Sequence, residues 1–117
     1  EAMTPDDYRQ LLLEREMARQ AHTALAPLAA AVVTLSCPGP APLWLGDTPG
    51  EPLAPRPTGD AVFNYPSSML GAPVVTVPMM AVGGMPVGLQ VMGQAHEDAR
   101  VTALARWIHQ SVQPVAV

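Results

Sequence analysis

Apolar and polar positions follow three different rhythms along the 117 residues. Tyr8, Leu11, Leu12, Ala18 and Leu25 recur at helical spacing, which leaves Arg9, Glu16 and Gln20 for solvent. Thr4-Pro5-Asp6-Asp7 opens that stretch with a capping hydroxyl, a proline suited to the first helical position, and two acids where the helix dipole favours them. The pattern predicts a packing helix over 4–26, stopped by Pro27. Residues 28–35 are apolar, with β-branched Val32-Val33-Thr34, and predict a buried strand of about six residues. Seven prolines and three glycines then crowd Pro38 to Pro57. No helix or interior strand persists through that density, so 36–57 is expected to be an irregular surface loop, either a plain linker or the rim of a larger site.

The densest signals lie in 58–93. Thr58-Gly59-Asp60 makes a turn into a short helix over Asp60 to Leu70, expected to be disturbed at Pro66 and stopped by Gly71-Ala72-Pro73. Val74 to Pro78 and Val87 to Gly93 are short apolar runs around the turn signal Gly83-Gly84. They are expected to pair as an antiparallel hairpin with a loose loop. Both are apolar on both faces, which calls for helices on both sides. A last helix is predicted over 97–113, with Glu97-Asp98 in its first turn. Val101, Leu104, Ala105, Ile108 and Val112 form the cleanest stripe in the chain; Trp107 sits at its rim and Pro114 ends it. The class is therefore α/β, in the order helix, strand, loop, short helix, strand, strand, helix, as a single partial domain.

Composition changes one part of that picture. Hydrophobic residues make up 49% and charged residues 14%, against a usual charged share of about 25%. Such an apolar surface on a small chain calls for a partner. The net charge is −4 and all six basic residues are arginine, with no lysine. No basic patch forms, which argues against nucleic acid. The single cysteine, Cys37, excludes an intrachain disulfide and fits a reducing, cytoplasmic setting. No apolar run approaches the ~20 residues of a membrane helix, and no signal peptide is visible. Glu1 in place of Met is expected of a processed or trimmed chain, or of one that begins inside a longer protein.

The run 58–93 also resembles a known family. Thr58-Gly59-Asp60, Phe63-Asn64, Leu70-Gly71-Ala72-Pro73, Pro78 and Gly84-Met85-Pro86-Val87-Gly88-Leu89-Gln90 together are similar to the C-terminal part of the amidase signature proteins, the serine amide hydrolases. The resemblance implies a mixed sheet sandwiched by helices and, in a complete enzyme, hydrolysis of a carboxylic amide without metal or cofactor. It also implies a Ser-cisSer-Lys triad, in which an unprotonated lysine serves as base. That triad cannot be built here, since the chain has neither lysine nor the glycine- and serine-rich nucleophile loop. No catalytic residue is therefore assigned, and the chain alone is expected to be inactive. The resemblance offers Asp60, Phe63, Asn64 and Ser68 as substrate-pocket candidates, although capping by Asp60 and Asn64 is the favoured local role.

Other chemistry is poorly supported. Ser67-Ser68 has no base beside it, and packing or capping is the better reading. Cys37 with His22, His96 or His109 has no spacing that suggests a thiol–imidazole pair. His96-Glu97-Asp98 is explained as a helix start, and no metal site or phosphate loop is expected. Two partners remain open. One is the remainder of an amidase chain, which would bring a small-molecule amide to the assembly. The other is a second copy of this chain, with the amidase-like end kept as a scaffold or oligomerisation module whose strand edges pair.

Overall fold

The computed structural model describes residues 3–42 and 60–117. The prolines and glycines between 43 and 57, with Thr58 and Gly59, lie outside the described residues. The fold is mixed α/β. Helix α1 spans Pro5–Thr23, strand β1 Val32–Leu35, helix α2 Asn64–Leu70, strand β2 Val74–Val82, strand β3 Met85–Met92, helix α3 Asp98–Ser111 and strand β4 Val115–Ala116. The strands form one sheet in the order β1-β3-β2-β4. Among the described residues no helix is long and apolar enough to cross a membrane.

The hairpin β2–β3 is the frame. Its turn is tight rather than loose. Gly83 and Gly84 both take positive φ, 56° and 77°, the left-handed pair that suits a two-residue hairpin turn. Strand β2 also runs past Pro78, where a shorter strand was expected. Val77 pairs with Leu89 and Met80 with Val87, so Pro78 and Met79 together face Gly88. This is a β-bulge, one of the few places where a strand accepts proline, because no ladder N–H is required there. β1 adds antiparallel to the other side of β3, Val33 opposite Val91. It is shorter than predicted, since 28–31 are taken up by turns and a bend.

α3 covers one face. Val101 and Ala105 are each 1% exposed and pack with Val77, Met79 and Val91; Leu104 and Ile108 close the margin. Val112 falls outside, because it leaves the helix as an extended cap (φ −105°, ψ 133°). Gly93 is required at the end of β3, since a Cβ there would run into the Val101 side chain. Trp107 is mostly exposed.

The opposite face is covered only in part. α2 starts at Asn64, later than expected, so Pro66 falls in the first turn, where a missing N–H costs no helical bond. The helix is therefore undisturbed by Pro66. Gly71, at φ 65°, ends it, and its N–H reaches the carbonyls of Ser67 and Ser68. α1 opens with a capping box: the Asp7 N–H donates to Thr4 Oγ1 (3.2 Å) and the Thr4 N–H to Asp7 Oδ2 (2.9 Å). It ends at Thr23, with turns carrying the chain through Ala26. At that end the His22 ring bonds the Gly93 carbonyl (2.9 Å), and Gln94 Nε2 donates to the His22 carbonyl (2.9 Å). Beyond this clamp α1 buries no residue at all, contrary to its expected role as a packing helix.

Candidate functional site

A cleft of about 490 Å³ opens on the sheet face away from α3. It is lined by Ser36, Cys37 and the turns that follow, by Asp60, Ala61 and Asn64, and by Pro86 and Gly88. Four local features shape it. Ser36 crosses to β3, donating from both its N–H and its hydroxyl to the Gly88 carbonyl, each at 2.9 Å. Gly88 lies under this crossing; a Cβ there would sit 2.5 Å from Thr76 Cγ2 and 2.7 Å from Ser36 Oγ. The Asp60 carboxylate accepts from the Val62 N–H at 3.1 Å, which folds the chain into the start of α2.

The fourth feature is Gln90, buried at 3% exposure in the middle of β3. Its Nε2 donates to Thr34 Oγ1 on β1 (2.8 Å) and to the Phe63 carbonyl ahead of α2 (2.6 Å). One carboxamide thus ties two strands to the turn that carries the cleft wall. A buried amide satisfied twice in this way holds its neighbours firmly, because breaking either bond leaves a polar group without water.

The structure brings Asp60 and Asn64 into the cleft and sets Phe63 directly behind them through its carbonyl. Ser68 is exposed on α2, away from the cleft lining. Its neighbour Ser67 is the buried one, donating to the Asn64 carbonyl at 3.0 Å. Cys37 reaches the cleft with Ser36 Oγ 3.7 Å from its sulfur. No histidine lines it: His22 is held by Gly93 at the far end of β3. Among the described residues no group of His, Cys, Asp and Glu is placed to hold a metal ion. With one carboxylate, one carboxamide, a thiol and several prolines, the cleft can contact and orient a ligand. Among the described residues it shows no nucleophile paired with a base.

Gln90 and the His22–Gly93–Gln94 clamp went unrecognised in the sequence. Gln90 stood inside a recognised string, and a polar residue within an otherwise apolar strand is the signal that marks it. The His22 clamp joins residues 71 and 72 positions apart, which no local pattern reveals.

Comparison with known proteins fits this geometry. No protein-family model matches the chain. A mitochondrial glutamyl-tRNA(Gln) amidotransferase subunit of Rattus norvegicus is 36% identical over 59 residues, half of this chain and 11% of the rat protein. The corresponding glutamyl-tRNA(Gln) amidotransferase subunit of Pseudothermotoga lettingae is 40% identical over 45 residues, 38% of this chain and 10% of that protein. A crystal structure of an amidase superposes with a TM-score of 0.67 at 29% identity, over 92% of this chain and 25% of its own.

The chain is similar to amidase signature proteins. It matches the C-terminal portion, and its matched segments span only about a tenth of the curated relatives. The run from Asp60 to Gly93 supplies the turn into α2, α2 itself, the hairpin and the Gln90 tie. Together with Ser36 to Pro42 it shapes the cleft.

Proposed function

We propose that this chain forms the C-terminal sheet and one pocket wall of an amide hydrolase, with the catalytic groups supplied from outside it. The observation that carries this reading is the superposition of nearly the whole chain on a quarter of an amidase. The lack of lysine supports the division of labour, since a Ser-Ser-Lys triad has no base here. Asp60 and Asn64 face the bound amide across the cleft and Phe63 backs them, while Ser68, exposed on α2 away from the cleft, has no part in the wall. The assembled protein hydrolyses a carboxylic amide; the chain alone does not.

The test is a hydrolysis assay with a simple carboxamide, reading released ammonia. The purified chain is assayed alone and after assembly with an amidase catalytic part. Activity in the assembly and none in the chain is the expected result. Turnover by the isolated chain would overturn the division of labour.

A further inference from the structure

We infer that the N-terminal half of α1, together with the groove between α1 and α2, is the surface on which the catalytic part of an amide hydrolase docks. This rests on the function proposed above and specifies where the two parts meet. The starting observation is a helix without an inside. α1 has 19 residues and buries none of them. Tyr8, Leu11 and Leu12 are 54%, 42% and 42% exposed, on the side of the helix that turns toward the body at Ala18 and His22. An apolar stripe of this kind gives a helix no stability in water until something covers it.

The stripe leads into a hollow. Leu11 stands two turns before Ala18 on the same line of the helix. Ala18 is one wall of a groove of about 460 Å³, whose other walls are Ala21 on α1 and Val62, Tyr65, Met69 and Leu70 around α2. Tyr65 is 69% exposed there. Stripe and groove are two apolar patches on one side of α1, separated by the charged turn Glu14-Arg15, and exposed apolar patches rimmed by charge mark an interface.

The occupant follows from the comparison. The amidase superposes on 92% of the chain, which leaves about nine of 117 residues unmatched, fewer than α1 contains. At least about half of α1 therefore has a counterpart in the larger protein, where three quarters of the chain lies outside the match. The chain's own radius of gyration is 17.5 Å, against about 14 Å for a compact chain of this length. An outline this open leaves apolar surface for another body to cover, and in the assembly proposed above that body is the catalytic part.

The experiment co-expresses the tagged chain with the crystallised amidase from which the matching quarter has been removed, and measures the complex by affinity capture and native mass. Three variants are compared: Leu11→Glu and Met69→Glu in the surface, and Leu13→Glu, which is as apolar as Leu11 and more exposed, but on the opposite side of α1. Circular dichroism checks that each folds, as expected for exposed positions. The expected result is a one-to-one complex, weakened at least tenfold by Leu11→Glu and Met69→Glu and unchanged by Leu13→Glu. A complex indifferent to both surface variants would overturn the docking surface while leaving the functional reading intact. No complex with the unmodified chain would overturn both. A dimer of the chain alone, dispersed by Leu11→Glu, would assign the surface to a second copy and overturn the inference.

Discussion

α3 and α1 are both amphipathic in sequence, and the structure treats them in opposite ways. α3 sets Val101 and Ala105 against Val77, Met79 and Val91, and its stripe disappears from solvent. α1 has a better cap and a favourable first turn, but its apolar face is broken by Glu14 and Arg15, Leu25 falls beyond its end, and it buries nothing. The difference lies in what each faces. α3 follows β3 directly and folds back over a hairpin already in place. α1 precedes the sheet and is held to it by its last turn, where His22 and Gln94 exchange bonds around Gly93. Local helix quality thus says little about whether a helix is packed. The covering surface decides that, and among the described residues nothing buries the N-terminal half of α1.

The contrast can be broken most sharply by truncation. Val101→Ala should cost roughly 2–3 kcal/mol, the loss of two buried methyl groups plus the cavity they leave. Leu12→Ala should cost less than about 0.5 kcal/mol in the isolated chain. Urea denaturation of both variants measures the gap. Equal costs would mean that α1 is already covered. Gly93→Ala should cost about 1–3 kcal/mol, because the new methyl meets Val101. Adding Val101→Ala should recover part of that loss, a coupling that separate sites do not show.

Gln90→Leu should cost about 1–2 kcal/mol by leaving the Phe63 carbonyl without its donor. The loss should appear first as faster amide exchange in α2, ahead of any change in α3. The smallest effect concerns pH. The Thr4 hydroxyl, and then the Thr4 N–H, hold the Asp7 carboxyl below its ordinary value. A lowered value means that the cap is fully formed above about pH 4 and is lost as pH falls through the lowered value. The helical signal of α1 should weaken in that window and be insensitive to it in Asp7→Asn. Its exposure keeps the effect small and salt-dependent.

Much of the frame was legible because it rests on local rules. The capping box at Thr4 and Asp7, the stop at Gly71, the glycine pair at the hairpin and the α3 stripe each need only a few neighbouring residues. The amidase resemblance likewise followed from one continuous run. Illegible features were those set by distant partners. β4 at Val115–Ala116 joins β2 in parallel, held by the Val117 N–H to the Ala81 carbonyl (2.8 Å) and the Gly83 N–H to the Val117 carbonyl (3.0 Å). Two residues carry no strand pattern of their own. Strand β2 outran its expected end because a bulge forgives Pro78. Asp60 and Asn64 line the cleft, while Ser68 is exposed away from it. A helix begun at Asn64 buries Ser67 and leaves Ser68 exposed, and that phase depends on where the helix starts.

Hydrogen exchange on the purified chain, with native mass measured on the same sample, tests the central claim most directly. The account predicts strong protection in β2, β3 and α3, and rapid exchange through α1 up to its last turn at His22, in a 12.3 kDa species. Protection of α1 equal to that of α3 at the same mass would show the stripe buried within the single chain, and would contradict the claim that its cover comes from another body.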